Sequence, residues 1–111
     1  MAQRRELMKG SIDSLLLCLI GQQPMYGYQI INELEGRSQG YFKFKEGTLY
    51  PALHRLERAG LILGKWQVLP SGRQRRYYYI TEKGLYALME KRSQWQHFLA
   101  AMNLIIQPVR A

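Results

Sequence analysis

The chain has 111 residues, 47% of them hydrophobic, which suits one domain with a modest core and leaves no room for a separate catalytic domain. A formal charge of +8 and a pI near 9.9 point to a polyanionic partner. The single cysteine, Cys18, excludes an intramolecular disulfide framework.

Apolar positions Leu7, Met8, Ile12, Leu15, Leu16 and Leu19 recur at three- and four-residue steps and predict a first helix from Leu7 to Ile20. Gly21-Gln22-Gln23-Pro24 ends it. Cys18 lies in the apolar run from Leu15 to Ile20 and reads as a buried structural thiol. That run is far shorter than the roughly twenty residues a bilayer span needs. Arg4-Arg5 ahead of apolar residues superficially resembles a secretory leader. Glu6, Lys9 and Asp13 interrupt the apolar stretch, however, and no small-residue cleavage site follows, so a cytoplasmic location without membrane association is expected. A second helix begins near Tyr26-Gly27-Tyr28, buries Ile30, Ile31 and Leu34, and stops around Gly36. From Arg37 to Lys45 the chain is a connector in which Phe42 to Lys45 alternate aromatic with basic residues, which suits a short extended piece. Lys43 and Lys45 are either contacts to the polyanion or solvated charges on a packed loop.

The most informative stretch runs from Glu46 to Gly60. Leu49, Leu53 and Leu56 fall on one face of a third helix, leaving Thr48, Tyr50, Pro51, His54 and Arg55 turned largely away from that stripe. Gly60 stands where a helix stop wants positive φ, and Leu61-Ile62-Leu63 then starts a strand. Lys65 to Leu69 and Arg75 to Ile80 read as two strands joined through Pro70-Ser71-Gly72. Four positive residues, Lys65, Arg73, Arg75 and Arg76, and no acidic ones lie between Lys65 and Arg76. A groove-reading helix followed by a basic hairpin is how a winged helix holds double-stranded DNA. On that reading Thr48, Tyr50, Pro51 and His54 face base edges, Arg55 either takes guanine bidentately or holds phosphate, and the hairpin cations face phosphate or a narrow minor groove. Tyr50 also reads as a half-buried anchor between helices, and Glu57 and Arg58 read as surface residues. By alternation Tyr77 and Tyr79 share one strand face and Tyr78 the other, at least one of these being core.

Thr81 is positioned to N-cap a long last helix from Glu82 to Ile106, about 37 Å at 1.5 Å per residue. Leu85, Leu88, Arg92, Trp95, Leu99, Met102 and Ile106 follow alternating steps of three and four along it. This stripe predicts a dimer interface with a second copy through Leu88, Arg92, Trp95, Leu99, Met102 and Ile106; Arg92 reads equally as a snorkelling surface residue. The fold expected is α+β, a winged helix-turn-helix of three helices and a two-stranded wing over residues 1–80, with a C-terminal dimerisation helix over 81–111 packed on it as one unit.

Gly27-Tyr28, then Gly47-Thr48-Leu49-Tyr50-Pro51-Ala52-Leu53, Arg55-Leu56-Glu57, Gly60-Leu61-Ile62, Arg76-Tyr77-Tyr78 and Thr81-Glu82-Lys83-Gly84 together resemble the PadR family of bacterial transcriptional regulators, over roughly residues 8 to 90. The resemblance implies a homodimeric winged-helix repressor, with Tyr50, His54 and the wing arginines on DNA and the final helix building the dimer. The chain is similar to the short members, which carry one C-terminal helix. In some of these a tryptophan of that helix lines a pore that stacks a small planar aromatic effector, and Trp95 stands at a similar place. Many relatives have a small polar residue where this chain has Glu46, an acid that suits a helix N-terminus but repels phosphate.

Enzymatic chemistry finds little support: His54 and His97 are isolated, Cys18 is flanked by apolar residues, there is no Gly-rich phosphate loop, and no acidic cluster suits a metal. No cofactor is expected. The alternatives to a sequence-specific regulator are a non-specific nucleic-acid-binding or architectural protein and a pure dimerisation or adaptor module.

Overall fold

The structure is a computed structural model that describes the backbone of residues 2–106 and the side chains of residues 11–106. Leu7 and Met8 of the expected first-helix stripe therefore lie outside the described side chains, as does the tail beyond Ile106. In chain order the elements are α1 (Ala2–Gln22), β1 (Met25–Tyr26), α2 (Gly27–Arg37), α3 (Glu46–Arg58), β2 (Ile62–Val68), β3 (Gln74–Ile80) and α4 (Glu82–Ile105). The expected α+β class holds, with four helices and a three-stranded antiparallel sheet.

Helix α1 is longer than the sequence pattern indicates at both ends. It touches α2, α3, α4 and β3, and so buries Leu17 as well as the expected Ile12, Leu16 and Leu19. Leu16, Leu17 and Ile20 of α1 meet Met25, Ile30, Leu49, Leu53 and Ile62 in a core where each is under 2% exposed. Full burial of one such side chain stabilises the fold by about 1.5–3 kcal/mol. The leucine stripe of α3 therefore fixes which of its faces points outward. Phe44 anchors the connector in this core and Phe42 stacks on it at 6.1 Å, while Lys43 and Lys45 stay in solvent. No strand pairs with this segment; its aromatics pack it in place, and the Phe42 N–H donates to Ser38 Oγ at 2.8 Å.

Strand β1 was not foreseen. Met25 and Tyr26 pair with Tyr78 and Tyr77, which makes β3 the central strand in the order β1-β3-β2. The hairpin register sets Ile62 opposite Ile80, Lys65 opposite Tyr77, Trp66 opposite Arg76 and Gln67 opposite Arg75. Alternation then puts Tyr78 on the core face, 2% exposed, with Tyr77 and Tyr79 half-buried on the other. Strand β2 begins at Ile62, ahead of Lys65, because Ile62 is part of the core.

Gly60 ends α3 as expected. At φ +77° it donates its N–H to the Glu57 carbonyl (2.9 Å), and Leu61 donates to Leu56 (3.0 Å), the paired bonds of a Schellman motif. Thr81 caps α4, its hydroxyl accepting from the Gly84 N–H at 3.0 Å and donating to the Gly60 carbonyl at 2.6 Å. The end of the third helix and the start of the fourth are thus bonded to one another.

Helix α4 packs on α1 as far as Trp95: Leu88 is partly buried and the Trp95 indole N–H donates to Ser14 Oγ at 3.1 Å. Beyond Trp95 its apolar side chains Phe98, Leu99, Met102, Leu104, Ile105 and Ile106 are exposed. Cys18 is only half-buried, against the expectation of a buried thiol, because α4 and the connector leave a groove beside it. Burial still pushes its thiol up, partly opposed by the Arg92 charge, so it stays protonated at neutral pH.

Candidate nucleic-acid interface

Four helical positions opposite the leucine stripe form the outer ridge of α3: Gly47, Pro51, His54 and Arg58, all exposed. Pro51 removes the backbone hydrogen bond to the Gly47 carbonyl on this solvent side, where water can replace it. The ridge includes Arg58, one turn beyond His54, which sequence reasoning set aside as a plain surface residue. Thr48 and Arg55 flank the ridge towards α1. Arg55 meets Asp13 there at 3.1 Å, an exposed pair that is weak and easily exchanged for a phosphate. Tyr50 and Glu57 flank it towards the hairpin.

Tyr50 is half-buried, as one of its two sequence readings held. Its ring lies so close over Gly27 that a Cβ there would overlap it, which accounts for the glycine at the start of α2. Burial, with the Glu46 carboxylate adding to it, pushes the Tyr50 phenol up, so the hydroxyl remains a proton donor at neutral pH. Helix α2 begins at Gly27 without a side-chain capping bond from its N-cap residue Tyr26.

Between α3 and the hairpin lies an open cleft of about 770 Å³ lined by Tyr26, Tyr28, Tyr50, His54, Trp66 and the run Arg73-Gln74-Arg75-Arg76, with Gly27 and Tyr78 at its base. Tyrosine, histidine, tryptophan and arginine line it, and no carboxylate does. Its cations are not equivalent. Arg73 is exposed at the tip, where Gly72 takes φ +86° to turn the chain. Arg75 lies over the Tyr26 ring at 3.9 Å, a contact that orients its charge without neutralising it; Lys65, expected with these cations, is not part of the cleft lining and lies over Tyr79 at 5.2 Å. Arg76 differs, because its Nη2 donates to Glu57 Oε2 at 2.7 Å. Glu57 is accordingly not the plain surface residue the sequence suggested: it is half-buried and also accepts from the Gly64 N–H at 3.2 Å. Alternation groups Arg76 with Tyr78 on one face of β3, but it does not say that this is the core face, where a guanidinium needs an acid, so the sequence signal for this pair was incomplete.

A second concavity, about 500 Å³ and almost wholly apolar, lies between α1, α4 and the connector, with Leu15, Cys18, Phe42, Trp95 and Leu99 among its walls and Arg92 at its edge. It brings Trp95, Arg92 and Leu99 of the expected dimer stripe together, while Met102 lies farther along α4 and Ile106 just past its end. Among the described residues, no three His, Cys, Asp or Glu side chains gather as a metal site, and no helix is long and apolar enough to cross a membrane.

A basic, carboxylate-free cleft between a helix ridge and a hairpin has the chemistry to meet a polyanion, and the family model for PadR-like transcriptional regulators matches residues 16–90. The chain belongs to the PadR-like family. It is 33% identical over 104 residues to an uncharacterized protein of Lysinibacillus sphaericus, covering 94% of this chain and 95% of that one. It is 35% identical over 88 residues to a transcriptional regulator of Mycobacterium tuberculosis, covering 79% and 78%. Among solved structures, a PadR-like transcriptional regulator from Bacillus cereus superposes with a TM-score of 0.82 at 32% identity, covering 94% of this chain and 99% of that one. PadR-like proteins are DNA-binding regulators rather than enzymes, and the cleft suits that role.

Proposed function

We propose that this PadR-like chain is a homodimeric repressor that binds a palindromic operator. The observation that carries the reading is the cleft itself, where an exposed helical ridge and uncompensated hairpin cations flank one groove-sized space. Pro51, His54 and Tyr50 would face base edges in the major groove, with Thr48 and Arg55 at the ridge flank. Lys65, Arg73 and Arg75 would hold phosphate or enter the minor groove, and Lys43 and Lys45 would track the backbone ahead of α3. Residues 1–80 then serve as the DNA-binding unit, and 81–111 as the dimer-forming segment. The exposed apolar end of α4 supports pairing with a second copy through Leu99, Met102 and Ile106, with Leu88, Arg92 and Trp95 at the seam's inner end. Two-fold pairing would set two recognition helices about 34 Å apart, one DNA turn.

Selection from random duplexes at about 150 mM salt tests this, because exposed charges are then screened within roughly 8 Å. A two-fold symmetric consensus is the expected result. Binding without enrichment, lost as salt rises, would instead make the chain a non-specific nucleic-acid binder.

Repression would be relieved by a small planar aromatic effector stacking on Trp95, which is supported by the apolar concavity that the indole walls. Titration with flat cationic aromatics should quench Trp95 emission and weaken operator binding in parallel. Emission and affinity that both stay constant would remove the effector from the reading.

A further inference from the structure

Arg76 stands among the wing cations in sequence, but its surroundings give it another task. Its guanidinium reaches from β3 to Glu57 on α3, with Nη2 2.7 Å from Oε2, and lies 5.5 Å from the Trp66 ring centroid. The same Glu57 oxygen accepts from the Gly64 N–H on β2 at 3.2 Å. Gly64 carries no side chain, and a Cβ there would overlap the guanidinium, so the strand leaves room for this arrangement. One carboxylate thus holds both strands of the hairpin to the helix whose ridge faces the cleft. Glu57 and Arg76 are 25% and 30% exposed, so the pair is shielded well beyond an ordinary surface ion pair.

We infer that Glu57 and Arg76 are positioning residues for DNA recognition: they set the angle between the wing and α3, and Arg76 is not a phosphate contact. The inference rests on the DNA-binding reading above. Its geometry explains how an acid is tolerated one turn from His54 on a nucleic-acid surface, since Arg76 neutralises it. It also has a sign that a phosphate-contact role lacks. If Arg76 held phosphate and Glu57 merely competed for it, Glu57→Gln would free a cation, remove a repulsive charge and tighten binding. If the pair is a brace, the same change lets the wing swing and weakens binding.

The test measures affinity for the selected duplex and for random duplex, across a salt series, for the full-length wild type, Glu57→Gln, Arg76→Gln and Arg76→Lys, with a thermal melt of each. The brace predicts a loss of about tenfold for the selected site in Glu57→Gln and Arg76→Lys, as when a single charge-assisted hydrogen bond between shielded partners is lost. Random-duplex affinity of Glu57→Gln should not fall. The slope of log affinity against log salt should stay at the wild-type value in Arg76→Gln, because no phosphate contact is removed. A slope shallower by about 0.9 in Arg76→Gln, or selected-site binding by Glu57→Gln as tight as wild type or tighter, would overturn the brace. Should Glu57→Gln melt below the assay temperature, Arg76→Lys, which retains the charge, decides alone: wild-type affinity overturns the inference. Wild-type protein without preference for any selected duplex would overturn the DNA reading itself, a result distinct from an intact preference indifferent to Glu57.

Discussion

Replacing Lys65, Arg73 and Arg75 together by alanine is expected to weaken DNA binding by about a hundredfold or more near 150 mM salt, at about 1 kcal/mol or more per charged contact. The slope of log affinity against log salt should become shallower by about 2.7, since each phosphate neutralised releases about 0.9 counterion. Among the described residues none of these side chains is paired with a carboxylate: Arg73 is exposed, and Arg75 and Lys65 lie on tyrosine rings. The ring contacts are worth only about 0.5–1 kcal/mol each at exposed sites, so the fold should survive their loss. Circular dichroism unchanged from wild type, with affinity and salt slope both collapsed, is the outcome to look for. A slope that stays at the wild-type value would show that phosphate is held elsewhere, and the wing would lose its role. The contrast with Arg76, whose replacement should leave the slope alone, separates cations that neutralise DNA from one that shapes the protein.

What could be read in the chain and what could not follows from the range of each interaction. The leucine stripe of α3, the Gly60 stop and the Thr81 cap are local signals, set by one turn of chain, and all three stand where the pattern put them. Strand β1 has no such signal. Two residues after Pro24 have no periodicity, and Met25-Tyr26 is extended only because Tyr78 and Tyr77 of β3 pair with it from far along the chain. The α4 stripe shows a different limit. Its spacing says which face is apolar but not what covers it: Leu88 and Trp95 meet α1 of the same chain, while Leu99, Met102 and Ile106 are left exposed. In the cleft, periodicity separated ridge from core, yet it did not separate Arg76, bound to Glu57, from Arg75, which lies on Tyr26. Charge counts treat these two arginines alike; only the register of β3 and the position of α3 tell them apart.

Gly84→Ala is expected to destabilise the fold by about 3 kcal/mol, at the upper end of ordinary overpacking, although glycine-to-alanine inside a helix ordinarily stabilises. Gly84 is buried in the first turn of α4, and a Cβ there would run into the Leu61 carbonyl oxygen, with Ile80 Cγ1 2.7 Å away. The obstacle is backbone, so no rotamer change relieves it. That carbonyl already accepts the Thr81 N–H at 3.0 Å, and Lys83 Nζ donates to the Ala59 carbonyl at 2.9 Å beside it. Relief therefore requires α4 to tilt away from the end of α3, breaking the bonds that join the two helices. Gly36→Ala supplies the control, since nothing lies within 4 Å of its Cβ position in α2, and it should gain about 0.5 kcal/mol in the same urea titration. Equal effects from the two substitutions would show that the close approach of Gly84 to Leu61 has no energetic weight. The functional side follows from the same geometry. Because the start of α4 is fastened to the Ala59 and Gly60 carbonyls just past α3, a tilt of α4 at the proposed dimer seam would be transmitted to the helix proposed to face DNA. Conditions that keep Gly84→Ala folded should therefore still cost operator affinity more than random-duplex affinity. Equal losses on both duplexes would mean that the junction stabilises the fold without setting the recognition helices.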